Sequence, residues 1–358
     1  MKRVGILTSG GDCPGLNAAI RGVAKAAYEL FEVEFIGISD GYKGLIQGDY
    51  KVMKNEDFSG LLTLGGTILG TSRQPYKSMR IIGEDNIDKV KAMKENYEKM
   101  NLDCLITLGG NGTHKTANLL SEEGLNIIGL PKTIDNDIWG TDVTFGFHTA
   151  VAIDTDVIDR IHTTANSHGR IVVIEIMGNK AGWLTLYSGV AGGADIVLIP
   201  EIPYEMDYVI NAVQKRARSK KRSFAIIAIA EGAMTKEESR MKSKQRQLFR
   251  AEQKYSSVSY RLADQIERIT GTESRVVVPG HYQRGGTPSA YDRVLSTRFG
   301  VHAAELIMKE KYGQAVAMVG NKITHNPLSE IAGKTKFVPD DDQMVKEAKS
   351  IGISFGDE

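Results

Sequence analysis

Residues 4–22, VGILTSGGDCPGLNAAIRG, pass from an apolar run through a glycine-rich turn into a segment of helical periodicity. The run Val4–Leu7 predicts a short buried strand, and residues 17–30 predict the helix that follows it. Between them, Gly10 and Gly11 let the backbone turn tightly and let its amides approach an anion at the helix N-terminus. Ordinary turns use the same residues. This segment alone therefore predicts a strand–turn–helix unit and leaves phosphate binding open.

The same alternation continues along most of the chain, with short apolar runs followed by segments of helical period. The further predicted strands are Val33–Ile38, Cys104–Leu108, Ile127–Leu130, Ile171–Ile176, Ile196–Ile199, Phe224–Ile229, Val276–Val278 and Val316–Val319. The further predicted helices cover residues 114–122, 149–162, 181–190, 206–216, 258–269 and 290–310. This order predicts an α/β protein of Rossmann-like, doubly wound parallel sheets. In such sheets, ligands bind beyond the carboxyl ends of the strands.

Length and composition limit the class of protein. A chain of 358 residues is long for one core and predicts two domains. The 45 basic and 44 acidic side chains create no overall field that would attract nucleic acid or a membrane surface. The start MKRVGILTSGG lacks the apolar core of a signal peptide, and two cysteines, Cys13 and Cys104, form no disulfide framework. We therefore expect a cytoplasmic protein that binds neither nucleic acid nor membrane.

One segment breaks the alternation. Ten of the nineteen residues 236–254, KEESRMKSKQRQLFRAEQK, are charged, which predicts a solvated polar insertion. Its basic residues are diluted by three acidic ones and are not interleaved with aromatic residues. The segment therefore does not favour nucleic-acid binding.

Two further turns follow predicted strands and carry the residue types of phosphoryl transfer. Residues 108–113, LGGNGT, repeat the glycine-rich strand-to-helix turn, so the two glycine turns together predict a cradle for a nucleotide or polyphosphate. Residues 129–137, GLPKTIDND, place Asp135 and Asp137 beside a lysine. A carboxylate here can take the proton of an attacking hydroxyl, as phosphoryl transfer requires. The alternative is that both aspartates cap the next helix.

Arginines near strand ends predict a second anion site. Arg284 and His281 lie in the glycine-rich block GHYQRGG, Arg275 precedes that block, and Arg170 opens another predicted strand. Because the arginine fork holds two phosphate oxygens at once, this set favours a phosphorylated acceptor. The alternative for each arginine is a surface ion pair.

Six blocks together resemble the phosphofructokinase family in order and spacing: TSGGDCPGLNAAIRG, LGGNGT, LPKTIDNDI, MGNKAGWLT, AEG and GHYQRGG. The resemblance covers nearly the whole chain, and PKTIDND and GHYQRGG are its most specific parts. It implies phosphoryl transfer from Mg-ATP to the 1-hydroxyl of fructose 6-phosphate. It also implies a donor-binding domain of residues 1–146 and 283–333, and a fructose 6-phosphate-binding domain of residues 147–282 and 334–358.

The resemblance also implies roles for individual residues. The implied donor site consists of Gly11, Arg73, Gln74, Gly110, Asn111, Gly112, Thr113 and Lys132. Asp135 is implied as the catalytic base, flanked by Thr133 and Asp137, with Mg²⁺ held by Asn111 and Asp137. The implied sugar-phosphate contacts are Thr133, Asp135, Arg170, Met177, Gly178, Asn179, Glu231, Arg275, His281 and Arg284. A homo-oligomer, typically a tetramer, is implied, in which Arg170 and Arg275 enter the site of a neighbouring subunit.

Departures from the family pattern keep two alternatives open. Lys132 matches the pyrophosphate-dependent phosphofructokinases, although those enzymes carry an aspartate at the position of Gly112. Asn111 replaces the usual magnesium-binding aspartate, and Asn179 replaces an arginine of the bacterial ATP enzymes. These two substitutions raise the alternative of a catalytically silent, nucleotide-binding regulatory subunit. The retained acceptor residues argue against it.

Overall fold

The structure is a computed structural model that describes residues 1–82, 87–219 and 224–358, without the side chains of residues 218 and 219. Two compact units make up the chain. The first contains Met1–Thr149 and Arg284–Lys336, and the second contains Ala150–Gln283 and Phe337–Glu358. Among the described residues, no helix has both the length and the apolar composition needed to cross a bilayer.

Eleven strands and thirteen α-helices are found in the described part of the chain. The strands are β1 Lys2–Thr8, β2 Val33–Ile38, β3 Tyr50–Met53, β4 Cys104–Gly109, β5 Ile127–Pro131, β6 Ile171–Ile176, β7 Ile196–Leu198, β8 Ala225–Ala230, β9 Ser274–Val277, β10 Gln314–Val319 and β11 Lys322–Pro327. The helices are α1 Leu16–Leu30, α2 Tyr42–Gln47, α3 Lys89–Lys99, α4 Asn111–Glu122, α5 Phe147–His168, α6 Trp183–Ala191, α7 Met206–Ser219, α8 Lys236–Ser239, α9 Ser243–Ala251, α10 Val258–Thr270, α11 Ala290–Met308, α12 Leu328–Ile331 and α13 Gln343–Ser350. The predicted α/β class with parallel sheets is confirmed.

The first unit is built on a seven-stranded sheet in the order β11-β10-β5-β4-β1-β2-β3. Its five inner strands run parallel, while β3 and β11 pair antiparallel at the two edges. The strands β4 and β5 are buried at every residue, as expected for strands covered on both faces. Because β5, β4 and β1 are neighbours and parallel, the turns that follow them lie side by side at one sheet edge.

The second unit is built on a four-stranded parallel sheet in the order β7-β8-β6-β9. Apolar residues from β6, β7 and β8 pack with α7 and α10 in one buried cluster. The loops after β6 and β8 are adjacent, since β6 pairs with β8 along all six residues.

Most side chains of the segment 236–254 are exposed, and one is buried. The segment contains α8 and α9, and Glu238 within it is only 1% exposed. The charged residues that indicated a solvated insertion include Glu238, whose carboxylate forms ion pairs with Arg250 and Arg261. The segment is therefore partly docked on the second unit.

Candidate active site

The turns after β1, β4 and β5 line one open cleft of about 360 Å³ in the first unit. The cleft gathers all of the donor-site and catalytic residues that the sequence indicates. Its lining residues are Ser9, Gly10, Gly11, Arg73, Gln74, Pro75, Gly110, Asn111, Gly112, Thr113, Lys132, Thr133, Asp135, Asp137 and Arg284.

The first turn is fixed by the loop that carries Arg73 and Gln74. The amide of Gly10 donates to Ser72 O over 3.1 Å, and Thr71 Oγ1 donates to Gly10 O over 2.7 Å. Gly10 has a φ of 85°, a left-handed conformation in which glycine is favoured. These bonds hold the exposed Arg73 beside the glycine turn, where its charge can meet an anion.

The second turn is the N-terminus of α4. Gly110 is the N-cap, and Asn111, Gly112 and Thr113 form the first helical turn. Helix 111–122 therefore begins three residues before the predicted 114–122, because the glycine turn is itself helical. Backbone amides of a first helical turn have no partner within the helix and favour an anion there.

A buried histidine steadies this turn. His114 Nδ1 lies 3.0 Å from Gly110 O, and burial lowers the pKa of His114 to about 4. The ring is therefore neutral near pH 7 and donates from Nδ1, because a carbonyl oxygen only accepts. His114 thus fixes the N-cap without adding a charge.

Gly112 leaves room for a larger group in the cleft. Apart from its two chain neighbours and its own helix backbone, a Cβ built on Gly112 meets no described atom within 4 Å. Its φ is not among the positive values, so a side chain would be sterically allowed there. The identity of residue 112 therefore controls the volume and charge offered to a donor.

The third turn carries the two aspartates. Asn136 adopts a left-handed φ of 51°, and its Oδ1 accepts from Thr144 N over 3.0 Å. Thr144 Oγ1 donates to Thr133 O over 2.6 Å. The amide of Asp135 in turn donates to Thr133 Oγ1 over 3.1 Å. Asn136 and Thr144 thus hold Thr133 and Asp135 in place through backbone contacts.

Lys132 is more buried than a residue that binds a phosphoryl donor at an open surface. It is 4% exposed, and its ammonium donates to the carbonyl of Gly11. Burial lowers the pKa of Lys132, and the neighbouring Arg284 lowers it further. Lys132 therefore joins the turn after β5 to the glycine turn after β1 and supports the latter through this hydrogen bond.

Asn111 and Asp137 are brought together as the sequence analysis expects of metal ligands. Asn111 Nδ2 donates to Asp137 Oδ2 over 3.0 Å and to Asp137 O over 3.2 Å. Within the described residues, no group of three or more His, Cys, Asp or Glu side chains could hold a metal by itself. Mg²⁺ commonly uses one or two protein oxygens and completes its shell with water and substrate phosphates. The donor set fits such a shared ion.

The remaining sequence-derived residues divide between the units. Arg284, which the resemblance implies as a sugar-phosphate contact, lies in the first unit, close to Gly11 in the cleft. In the second unit, Asn179 and Glu231 line one pocket of about 440 Å³. Met177 and Gly178 precede Asn179 in the loop after β6, and the Met177 amide donates to Gln283 Oε1 over 3.0 Å.

Arg170 and Arg275 lie at the other end of the second sheet. Arg170 precedes β6 and Arg275 is the second residue of β9, whereas Met177 follows β6. Six strand residues separate Arg170 from Met177, a span of about 20 Å. Arg170 Nε lies 2.5 Å from Glu273 Oε2, and Glu273 also pairs with Arg275. Within this unit, the two arginines are joined to each other and are remote from the loop after β6.

Several residues that position the site were missed from sequence: His114, Asn136, Thr144, Glu273, Gln283 and Lys336. Lys336 donates from its backbone to Asp137 O over 2.8 Å, and burial lowers the pKa of its side chain to about 8. Asn136 carried the clearest available signal, since asparagine tolerates a left-handed φ in a tight loop. Gln283 lies inside the GHYQRGG block, where attention went to the charged residues.

Known proteins are similar to this chain in sequence and in fold. A family model described as Phosphofructokinase matches residues 3–307. The ATP-dependent 6-phosphofructokinase of Spirochaeta thermophila is 55% identical over 358 residues, covering 99% of this chain and 97% of that protein. The ATP-dependent 6-phosphofructokinase 3 of Bacteroides thetaiotaomicron is 47% identical over 355 residues, covering 99% of this chain and 100% of that protein. Among solved structures, phosphofructokinase from Pichia pastoris in the T-state matches with a TM-score of 0.80 at 32% identity, over 98% of this chain and 36% of that one. The chain belongs to the phosphofructokinase family.

Proposed function

We propose that this protein is an ATP-dependent 6-phosphofructokinase, which transfers a phosphoryl group from ATP to the 1-hydroxyl of fructose 6-phosphate. The observation that supports this best is the cleft that places Asp135 with two glycine turns, Arg73 and Arg284. Phosphoryl transfer needs a proton acceptor beside groups that neutralise the charge of the transferred phosphoryl. The names of the two bacterial relatives support ATP as the donor.

The residues of the cleft divide into binding and proton transfer. The amides of residues 110–113, together with Arg73 and Arg284, bind and orient the polyphosphate of the donor. Asp135 accepts the proton of the attacking 1-hydroxyl, while Thr133 fixes the loop through the amide of residue 135. Asn111 and Asp137 hold Mg²⁺, which supplies positive charge to the donor phosphates when it is bound.

The acceptor contacts come from the second unit in this proposal. Met177, Gly178, Asn179, Glu231 and His281 contact the sugar phosphate of fructose 6-phosphate. Asn179 and Glu231 already line one pocket, which supports their joint role.

The expected cytoplasmic location also stays a prediction.

A coupled assay on the purified chain tests the proposed activity. We expect production of fructose 1,6-bisphosphate from fructose 6-phosphate with Mg-ATP, and little production when pyrophosphate replaces ATP. Omission of the divalent ion should abolish turnover, because the donor phosphates then lack a counter-charge. A chain that binds nucleotide but shows no turnover with either donor would instead be a silent regulatory subunit.

We further propose a homo-oligomer with sites shared between subunits, most simply a tetramer. The position of Arg170 and Arg275 supports this, because both lie at the end of their sheet opposite to the Met177 loop. In an isologous interface each subunit can lend these arginines to its partner.

Hybrid oligomers test the shared site. Asp135→Ser and Arg275→Ala subunits, each nearly inactive alone, are co-expressed with different tags and purified through both. We expect activity that neither parent has, since about half of the sites at each mixed interface regain both residues. Parents mixed after purification are the control for subunit exchange. Hybrids as inactive as both parents would place Arg275 and Asp135 in the same subunit's site.

A further inference from the structure

A buried ion network anchors the 236–254 segment to the second unit. Glu238 is 1% exposed and accepts from Arg250 Nε over 2.7 Å. It also accepts from Arg261 Nη2 over 2.7 Å and Nη1 over 3.2 Å. Burial alone would raise the pKa of Glu238, but the bonds from Arg261 and Arg250 lower it to about 2. The carboxylate is therefore charged at neutral pH and fixed between two guanidinium groups.

Arg250 makes a second bond outside this ion network. Its Nη2 donates to the carbonyl of Ala233 over 2.6 Å. Ala233 is fully buried in the turn after β8, two residues beyond Glu231. Arg250 thus clamps α9 onto the turn that carries Glu231.

The turn held by Arg250 packs against the loop after β6. The amide of Glu231 donates to Ile176 O over 2.9 Å, and that of Gly232 donates to Gly178 O over 3.2 Å. A Cβ on Gly232 would overlap the backbone of Asn179. A shift of the 231–233 turn would therefore displace the Gly178–Asn179 backbone as well.

The pocket beside these two turns has one wall from the inserted segment and its flank. Glu175, Asn179 and Glu231 line the side formed by the sheet loops. The other lining residues are Arg250, Ala251, Gln253, Tyr255, Ser256, Ser257, Val258 and Arg261. The polar insertion and its flank therefore shape the space next to Asn179 and Glu231.

We infer that Arg250 is a positioning residue for the sugar-phosphate site, which acts by fixing the Glu231 turn through Ala233 and Glu238. This inference rests on the proposed function, because it takes Glu231 and Asn179 as acceptor contacts. Arg250 acts on the binding of fructose 6-phosphate rather than on the chemical step, since its bond to Ala233 holds the turn that carries Glu231. The guanidinium bonds Glu238 through Nε and Ala233 O through Nη2, so its planar fork fixes both acceptors in one geometry.

Kinetic comparison of two arginines from α9 tests the inference. Arg250→Met keeps the aliphatic stem but removes both bonds, and should raise KM for fructose 6-phosphate about tenfold, corresponding to about 1.4 kcal/mol. The kcat and the KM for ATP should stay within about twofold. Arg250→Lys should recover part of the affinity, because lysine can satisfy one of the two acceptors. Arg246→Met is the matched control, since Arg246 bonds the carbonyls of Glu238 and Met241 and not the 231–233 turn.

Hydrogen exchange gives a readout that does not depend on turnover. Amides in peptides covering residues 176–180 and 229–234 should exchange faster in Arg250→Met than in wild type. In Arg246→Met, their exchange rates should equal those of wild type. If Arg250→Met does not fold, Glu238→Gln is used, which weakens the anchor of Arg250 while keeping the side-chain shape. Equal KM values and equal exchange in the Arg250 and Arg246 variants would overturn the inference. Failure of wild type to use fructose 6-phosphate would instead overturn the proposed function, whatever the exchange data show.

Discussion

Asp135→Ser is expected to lower kcat by roughly 10²-fold to 10⁴-fold, with little change in KM for fructose 6-phosphate. The side chain of Asp135 lines the cleft between the two glycine turns, where a proton acceptor is needed. Loss of a general base removes an interaction that matters in the transition state and not in substrate binding. A coupled steady-state assay with both substrates varied gives kcat and KM separately.

The loop should survive this substitution. The amide of residue 135 donates to Thr133 Oγ1, and Asn136 and Thr144 hold the backbone, and these three bonds remain when the Asp135 carboxylate is replaced. Equal thermal unfolding midpoints for wild type and variant check this. Asp135→Asn is the matched control, because it keeps the shape and removes only the basic oxygen. Turnover near the wild-type level in both variants would exclude Asp135 as the base.

Sequence periodicity predicted the inner strands well for a physical reason. Strands such as β4 and β8 are buried on both faces, so they appear as continuous apolar runs bounded by glycine or charged residues. The two strands missed, β3 and β11, are antiparallel edge strands in which only Met53 is buried. Such segments need no apolar run, because only one neighbour and one face constrain them.

The sequence indicated the charged residues of the candidate site but not the hydrogen bonds that support them. The glycine turns and Asp135 are visible because their residue types match phosphate chemistry. The bond from Arg250 to Ala233 joins residues that are seventeen positions apart, and no local pattern indicates it. Lys132 lines the cleft, as its predicted donor-site role requires, but its bond to the carbonyl of Gly11 depends on tertiary packing that composition does not encode.

Gly112→Asp is expected to abolish useful turnover with ATP, lowering kcat/KM for ATP by about 10² to 10³. Two unit charges 4 Å apart repel by about 4 kcal/mol at an effective dielectric constant near 20. An aspartate at position 112 would project into the cleft and set its charge against the phosphates of a bound nucleotide. The change of donor is read from assays with Mg-ATP and with pyrophosphate.

The fold should tolerate this aspartate, so that the lost activity reports on the donor. Apart from its two chain neighbours and its own helix backbone, a Cβ on residue 112 meets no described atom within 4 Å, and the residue lies in the first turn of α4. Acidic residues in a first helical turn are favoured by the helix dipole. We therefore expect an unchanged or slightly raised unfolding midpoint in Gly112→Asp.

Two further substitutions at position 112 separate steric exclusion of ATP from charge repulsion of its phosphates. Gly112→Ala adds only a Cβ and should retain ATP turnover, whereas Gly112→Asn has nearly the volume of aspartate without its charge. An asparagine variant as inactive as the aspartate variant would assign the exclusion to volume.

Lys132 should not decide the donor, because it supports Gly11 from a buried position and repels neither polyphosphate. Lys132→Met should therefore lose stability while keeping its preference for ATP. Efficient wild-type turnover with pyrophosphate and none with ATP would reverse this assignment and make Lys132 the residue that selects the donor.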